Sequence, residues 1–305
     1  MKHLIPLSLC LFLLISCETE TTRADLPTEA IRTLAESFNG DVGIFVKDLE
    51  TGKEFEFRAD DVFPTASMIK IPIMVGVFDK IEKGELKYQM KLEYGPESEY
   101  EYSGDIISNL ESGTEVTLSL LVHLMMSVSN NTGSLWNQYL AGTGTEINSL
   151  MEELGFEHTR VNSRTDGRSE AFQMYGWGQT TPREIATLVE KIYKGEIINK
   201  HASEQMFRVM SRNHWDGEAL SQIDPVINVA SKNGAVSASR SEVLLVNGPS
   251  GDYLFSVITK NQEDRSWDYD NEAWVMIREL SSILYRHFEP HSEWEPNADL
   301  RKYHE

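Results

Sequence analysis

A serine and a lysine stand three positions apart, as Ser67 and Lys70, at the predicted start of a helix. In a helix, this spacing puts both side chains on one face, about one turn apart. A serine hydroxyl is a weak nucleophile at neutral pH, and a lysine amine serves as its base when burial or nearby positive charge lowers the lysine pKa. The helix N-terminus would supply N–H groups to an oxyanion. The pair indicates acyl transfer, although by itself it also fits a helix start with a surface lysine.

A second polar group, Ser129-Asn130-Asn131, lies between two predicted helices. Its hydroxyl can relay a proton, and the amide of Asn131 can orient Lys70 or a substrate carbonyl. Taken alone, these residues are also typical of a polar turn that links two helices.

A third group, Lys232-Asn233-Gly234, follows an apolar strand-like segment. The lysine would supply a fixed positive charge, and the glycine would let a substrate backbone approach closely. The next N–H group, that of Ala235, would be a second oxyanion donor. An exposed edge strand that carries a lysine explains the same residues when they are considered alone.

The elements that must position these groups change type along the chain. Helical periodicity and turn residues predict helices over 25–40, 67–83, 118–128, 133–140, 145–154, 182–193, 201–210 and 271–288. Alternation predicts strands over 42–49, 54–58, 226–231, 240–246 and 253–259. Strands near both ends with helices between them favour an α+β fold, in which distant segments form one antiparallel sheet and an all-α lobe is inserted in the middle. We expect the site in the cleft between the lobes.

In this order, the three groups resemble the signature of the serine β-lactamase and penicillin-binding protein superfamily. The chain is most similar to class A β-lactamases and class-A-like serine hydrolases, over about residues 26–288. Three further stretches carry the resemblance: 113–135, the Thr180-Thr181-Pro182 turn and Ser239-Arg240. The resemblance implies Ser67 as nucleophile, Lys70 as base, Ser129 as proton relay, and Lys232 with Arg240 as ligands of a substrate carboxylate.

The sequence departs from the family pattern in three places. Asn130 stands where the pattern usually has Asp, and Asn233 stands where it has Thr or Ser. The family's Ω-loop carries a glutamate, in an ExxLN stretch, that activates the deacylating water, and no such stretch is present here. Asp166 and Glu170 are the candidate replacements, and each is also explained as a solvated loop carboxylate.

The resemblance therefore implies a serine hydrolase that forms an acyl-enzyme and hydrolyses β-lactams. Because the Ω-loop motif is missing, two alternatives stay open. One is a D-Ala-D-Ala carboxypeptidase or esterase, and the other is a slowly deacylating penicillin-binding module. In each case the partner is a small β-lactam or peptidoglycan-like acyl donor, no cofactor is needed, and we expect a monomer.

The first segment has the features of a targeting signal. An apolar run follows Lys2 and ends in Leu14-Ile15-Ser16-Cys17, which resembles a bacterial lipobox. This predicts a signal peptide over 1–16, lipidation of Cys17, a tether over 17–25, a hydrolase domain over 26–290 and a charged tail over 291–305. The protein would be exported through the inner membrane and lipid-anchored in the bacterial cell envelope, on the periplasmic or outer-membrane face. An ordinary signal peptide with a chance cysteine is the alternative.

Composition excludes several other classes of protein. The chain has 305 residues and a formal charge of −20, so its surface repels phosphate backbones and nucleic acid is not an expected partner. Its cysteines are Cys10, within the signal, and Cys17, so the folded body has no disulfide and no thiol chemistry. The histidines show no metal-binding spacing, and we expect no metal site.

Overall fold

The computed structural model describes residues 24–95, 104–297, 299 and 301–304. The predicted signal peptide and Cys17 lie outside them, as does most of the tether. The helices are α1 (Thr28–Glu36), α2 (Lys70–Glu82), α3 (Leu118–Ser127), α4 (Asn131–Leu140), α5 (Thr143–Glu153), α6 (Ser169–Tyr175), α7 (Pro182–Tyr193), α8 (Lys200–Met210), α9 (Glu272–Phe288) and α10 (Arg301–His304). The strands are β1 (Asp41–Asp48), β2 (Glu54–Phe57), β3 (Phe63–Pro64), β4 (Lys91–Glu93), β5 (Glu115–Thr117), β6 (Arg160–Val161), β7 (Gly178–Thr180), β8 (Asn228–Val236), β9 (Ser239–Asn247) and β10 (Tyr253–Lys260).

The main sheet is assembled from both ends of the chain, as predicted. Its strand order is β2-β1-β10-β9-β8, and every neighbouring pair is antiparallel. The β8–β9 hairpin leaves β8 at the edge of the sheet, where it contacts the 3₁₀ turn Ala66–Ile69. This edge strand carries the third polar group, and the turn carries Ser67.

Two apolar cores lie on opposite faces of this sheet. One face packs against the helical lobe, and α7 covers β1, β9 and β10 there. The other face packs against α1 and α9. Successive side chains of a strand point to opposite faces, so each position in β8 and β9 belongs either to the lobe face or to the α1–α9 face.

Helix α2 is the central element of the helical lobe. Its residues from Lys70 to Phe78 are all buried, and most of them are apolar on every side of the helix. A helix without a polar face is stable only inside a core. Pro72 lies in the first turn, where its missing N–H costs nothing. The lysine that begins α2 is therefore fixed by the packing of the whole helix.

The structure differs from the sequence-based expectations at several elements. Ser67 lies in a 3₁₀ turn that leads into α2 rather than in the helix itself, and β8 extends to Val236. Helix α6 and the short strands β3–β7 lacked a sequence signal. The charged tail begins in contact with the body, since the Trp294 ring packs against Tyr285 at 5.5 Å between centroids. Among the described residues, no helix is long and apolar enough to cross a membrane.

Candidate active site

Ser67 is presented by a strained turn at the base of the cleft. The preceding residue, Ala66, has φ of +44°, in the left-handed region that non-glycine residues rarely adopt. Thr65 donates its N–H to Gly178 O at 3.0 Å, and Met68 donates to Thr65 O at 3.0 Å. Such backbone strain is found preferentially at functional sites, because the surrounding structure must stabilise it.

Lys70 is buried, and its amine is aimed at the second polar group. Its Nζ donates to the Ser129 carbonyl, to Ser129 Oγ at 3.0 Å and to Asn131 Oδ1 at 2.8 Å. Burial, and after it the charge of Lys232, hold the pKa of the Lys70 amine well below its usual value, whereas Asp105 opposes this shift. A lysine in this environment is suited to accept a proton at neutral pH.

The second polar group is held by the start of α4. Asn130 is the N-cap residue, and its Oδ1 accepts from Gly133 N at 2.6 Å. Ser129 has φ of +59°, so this turn, like the Ser67 turn, contains a non-glycine residue in the left-handed region. The cap therefore directs the Ser129 hydroxyl and the Asn131 amide towards Lys70.

The third polar group lies against the Ser67 turn, and this close approach is possible because Gly234 has no side chain. A Cβ atom there would lie 2.7 Å from Ser67 N and 2.8 Å from Thr65 O. Lys232 is fully buried, and its Nζ donates to Asn233 O at 2.8 Å and to Asn233 Oδ1 at 3.2 Å. Burial lowers the pKa of Lys232 to about 7, and buried Glu242 opposes the shift.

These elements border a cleft of about 560 Å³. Ser67, Asn131 and Ala235 line it, together with apolar and aromatic side chains from the segment after α6 and from the β8–β9 hairpin. A larger cavity of about 940 Å³, next to residues 211–229, includes none of the three polar groups. The cleft that contains Ser67 is therefore the candidate active site.

The structure does not place Arg240, which was predicted to bind a substrate carboxylate, in the lining of this cleft. Arg240 pairs with Ala235 on the α1–α9 face of the sheet, where its guanidinium donates to the carbonyls of Val236, Ser239 and Ser266. Its Cζ also lies 4.4 Å from the centroid of the Trp267 ring. Ser241, one residue further along β9, faces the cleft side instead, and its Oγ donates to Thr65 O at 3.1 Å.

The candidate deacylation bases lie outside the cleft. Asp166 and Glu170 are both solvent-exposed, and neither lines the cavity that contains Ser67. Asp166 lies in an exposed part of the turn between β6 and α6, and Glu170 lies in the first turn of α6, which buries no side chain. The structure does not bring them to the nucleophile.

Arg168 joins the two ends of this loop, which was not predicted. Its Nε and Nη2 donate to Asn162 Oδ1 at 3.0 and 2.8 Å, and Nη2 donates to Gln179 Oε1 at 2.8 Å. Gln138 adds a second attachment through the Ser163 carbonyl and hydroxyl. A lone arginine in a polar loop has no sequence signal that distinguishes it from a solvated one.

Asp105 was also missed by sequence reasoning. Its Oδ2 accepts from Thr132 N at 2.6 Å and its Oδ1 from Ser108 N at 3.0 Å. Partial burial raises the pKa of Asp105, but these N–H groups outweigh it and hold the pKa below its usual value. An ionised carboxylate thus supports the first turn of α4, next to Asn131.

Across the part of the chain that the structure describes, no group of three His, Cys, Asp or Glu side chains could hold a metal ion.

Fold and site together define a class of protein. A sheet built from both chain ends, an inserted helical lobe, and a serine with a buried lysine one turn further along are the architecture of serine acyl-transfer enzymes of the β-lactamase and penicillin-binding type. A model of the Beta-lactamase enzyme family matches residues 26–288. The chain belongs to this family, whose members are serine β-lactamase-type hydrolases.

Solved structures share the fold. The structure of PBP-A is 23% identical over 88% of this chain and 98% of that one, with a TM-score of 0.75. A β-lactamase from Sphaerobacter thermophilus is 22% identical over 87% and 97% of the two chains, also with a TM-score of 0.75. A mutant of PBP-A, 23% identical over 88% and 99%, was solved as an acyl-enzyme complex with penicillin G and has a TM-score of 0.75.

Proposed function

We propose that the protein is acylated at Ser67 by β-lactams and hydrolyses the resulting ester. The observation that carries the proposal is the position of the Lys70 amine, which is buried and hydrogen-bonded to Ser129 and Asn131. When it is neutral, this amine keeps two N–H donors for these contacts and has a lone pair that can take the Ser67 proton.

In the proposed mechanism, Ser67 Oγ attacks the lactam carbonyl carbon while Lys70 accepts the hydroxyl proton. The N–H groups of Ser67 and Ala235 stabilise the oxyanion. The C–N bond then breaks, and Ser129 passes a proton to the leaving nitrogen. Lys232 and Asn233 bind the substrate carboxylate. The product of this half-reaction is an ester on Ser67.

A second candidate is a penicillin-binding module or D-Ala-D-Ala carboxypeptidase that releases β-lactam products slowly. It is favoured by the exposure of Asp166 and Glu170, since no carboxylate lines the cleft among the residues that the structure describes. Without a positioned base, attack of water on the ester is slow, whereas acylation is unaffected.

An intact-mass time course separates these functions. The purified protein is mixed with benzylpenicillin, and nitrocefin turnover is followed in parallel. A transient adduct with turnover supports hydrolysis, and an adduct that persists for hours supports the slow module. Release of D-Ala from a D-Ala-D-Ala peptide identifies the carboxypeptidase. Ser67→Ala abolishes the adduct in each case, and absence of any adduct on the unmodified protein would overturn acylation.

We also propose that Cys17 is lipidated and anchors the protein in the cell envelope. The support is the sequence pattern Leu14-Ile15-Ser16-Cys17 after an apolar run. Incorporation of a labelled fatty acid that is lost in Cys17→Ser supports the anchor. Unchanged labelling in that variant contradicts it.

A further inference from the structure

The cleft contains a lysine that the proposed mechanism does not use. Lys260, the last residue of β10, lines the same cavity as Ser67. Among the described residues that line this cavity, only Lys260 carries a formal charge. This contrasts with the chain as a whole, whose formal charge is −20.

The sheet register places Lys260 and Lys232 on opposite sides of the nucleophile. Gly234, which lies against Ser67 N, is opposite Ser241, and Ser241 is opposite Ile258. Lys232 precedes Gly234 by two residues and Lys260 follows Ile258 by two, so both side chains share the lobe face of the sheet. Because β8 and β10 both run antiparallel to β9, they run in the same direction. The two lysines therefore lie on opposite sides of the row Gly234–Ser241–Ile258, against which Ser67 N lies.

The Lys260 ammonium has N–H donors that remain available to bind a further group. Its Nζ donates to Val62 O at 2.9 Å and lies 4.4 Å from the centroid of the Phe63 ring. An ammonium has three N–H donors, and this contact uses one. The adjacent carboxylate, that of Asp41, is already bound by Arg58 at 2.7 Å and by Asn261 at 2.7 Å.

Apolar side chains border the cleft together with Ser67 and Lys260. Met174 is 71% exposed and Val236 is 47% exposed, although both line the cavity. Trp177 adds a partly buried ring from the segment after α6. An acyl group that is complementary to this cleft has an apolar body, which contacts these side chains, and an anionic end. An ion pair between that anion and the Lys260 ammonium offsets the free-energy cost of removing the anion from water.

We propose that Lys260 is a specificity-determining residue that binds an anionic group on the acyl side of the substrate. The preferred acyl donors then carry one carboxylate for Lys232 and a second, on the acyl side chain, for Lys260. This inference rests on the proposed acylation of Ser67.

Benzylpenicillin and carbenicillin test this inference, because carbenicillin adds a carboxylate to the acyl side chain of benzylpenicillin. The second-order acylation rate constant is measured for both by intact mass, and their ratio is compared among variants. Lys260→Gln is expected to lower the carbenicillin-to-benzylpenicillin ratio about tenfold, whereas Lys260→Arg retains most of it. High salt is expected to reduce the carbenicillin preference of the unmodified protein.

Lys200→Gln is the matched control, since it removes the same charge from α8, outside the cleft. It is expected to leave the ratio unchanged. An unchanged ratio in Lys260→Gln, or an equal fall in Lys200→Gln, overturns the role of Lys260. If neither penicillin acylates the unmodified protein, the proposed function itself fails, so the two failures are distinguishable.

Discussion

The two sides of the cleft are built in different ways. On the nucleophile side, Ser67, Lys70 and Ser129 come from two turns and the start of a buried helix, and Lys70 is fully buried. On the loop side, α6 buries none of its side chains, and Asp166 and Glu170 point to solvent. One side is a cluster around a buried lysine, and the other is an exposed loop held by a few polar contacts.

In the proposed function, this difference puts the two halves of the reaction under separate structural control. Formation of the ester depends on groups that the core holds in place. Release of the ester depends on a water molecule and a base that the loop side must supply. A sequence can therefore keep the first half while it changes the second, and variants on each side should alter different rate constants.

The largest expected effect is that of Lys70→Met, which keeps an apolar stem and removes the base. We expect the acylation rate to fall about 10²–10⁴-fold, the usual contribution of a positioned general base. Intact mass against time with benzylpenicillin measures the rate. The control is Lys83→Met, which removes an exposed amine from the end of the same helix. Acylation of Lys70→Met at the unmodified rate contradicts the nucleophile-side assignment.

The next largest effect is the pH dependence of kcat/KM. It is expected because burial lowers the pKa of Lys232 to about 7. Below this pH the free protein carries the charge that binds a substrate carboxylate, and the charge is lost as pH rises. We expect kcat/KM for a penicillin, divided by that for the uncharged p-nitrophenyl acetate, to fall up to roughly tenfold per pH unit above about pH 7. The protonation of Lys70 changes kcat/KM for both substrates alike, so its effect cancels in the ratio. A ratio that stays flat from pH 6 to 9 contradicts the role of Lys232.

A smaller effect is expected for Gly234→Ala, which tests the close approach of β8 to the nucleophile. The new Cβ would meet Ser67 N, Thr65 O and Ser241 Oγ at 2.7–2.8 Å, so the strand or the turn must shift. We expect a loss of stability of about 1–3 kcal/mol by chemical denaturation, with slower acylation. Gly95→Ala is the control, because no atom of the described residues, its own chain neighbours aside, lies within 4 Å of its Cβ position. Equal stability of the two variants would contradict the packing argument.

Arg168→Met tests the loop side by removing its hydrogen bonds to Asn162 and Gln179. We expect faster amide hydrogen exchange in the loop, a stability loss of about 1 kcal/mol, and acylation within about twofold of the unmodified rate. Arg208→Met, an exposed change on α8, serves as the control. A large fall in the acylation rate of Arg168→Met shows that the two sides are coupled.

The smallest effect is expected for Asp166→Asn and Glu170→Gln. Because both carboxylates are exposed and do not line the cleft, deacylation should change by less than about twofold. Decay of the preformed penicillin adduct, followed by mass, measures this rate. A fall of tenfold or more in either variant identifies that carboxylate as the base and shows that the loop moves after acylation.

The sequence was sufficient for the architecture and for the proximity of Ser67 and Lys70, because each depends on local patterns. Ser67 and Lys70 are neighbours in any helical turn, and an apolar segment such as that of α2 can be stable only when buried. The strands near the two ends of the chain predicted the sheet, since antiparallel strands must pair with one another to satisfy their backbone groups.

Other features were decided only by the tertiary structure, because they depend on strand register and on contacts between segments that are far apart in the sequence. A shift of one residue in a strand moves a side chain to the other face, and this puts Ser241 rather than Arg240 on the cleft side. The exposure of Asp166 and Glu170, and the meeting of Lys260 with Ser67 in one cavity, follow from how a loop and three strands pack. Local spacing determines which groups can react, and only the packing of distant segments determines which of them face the substrate.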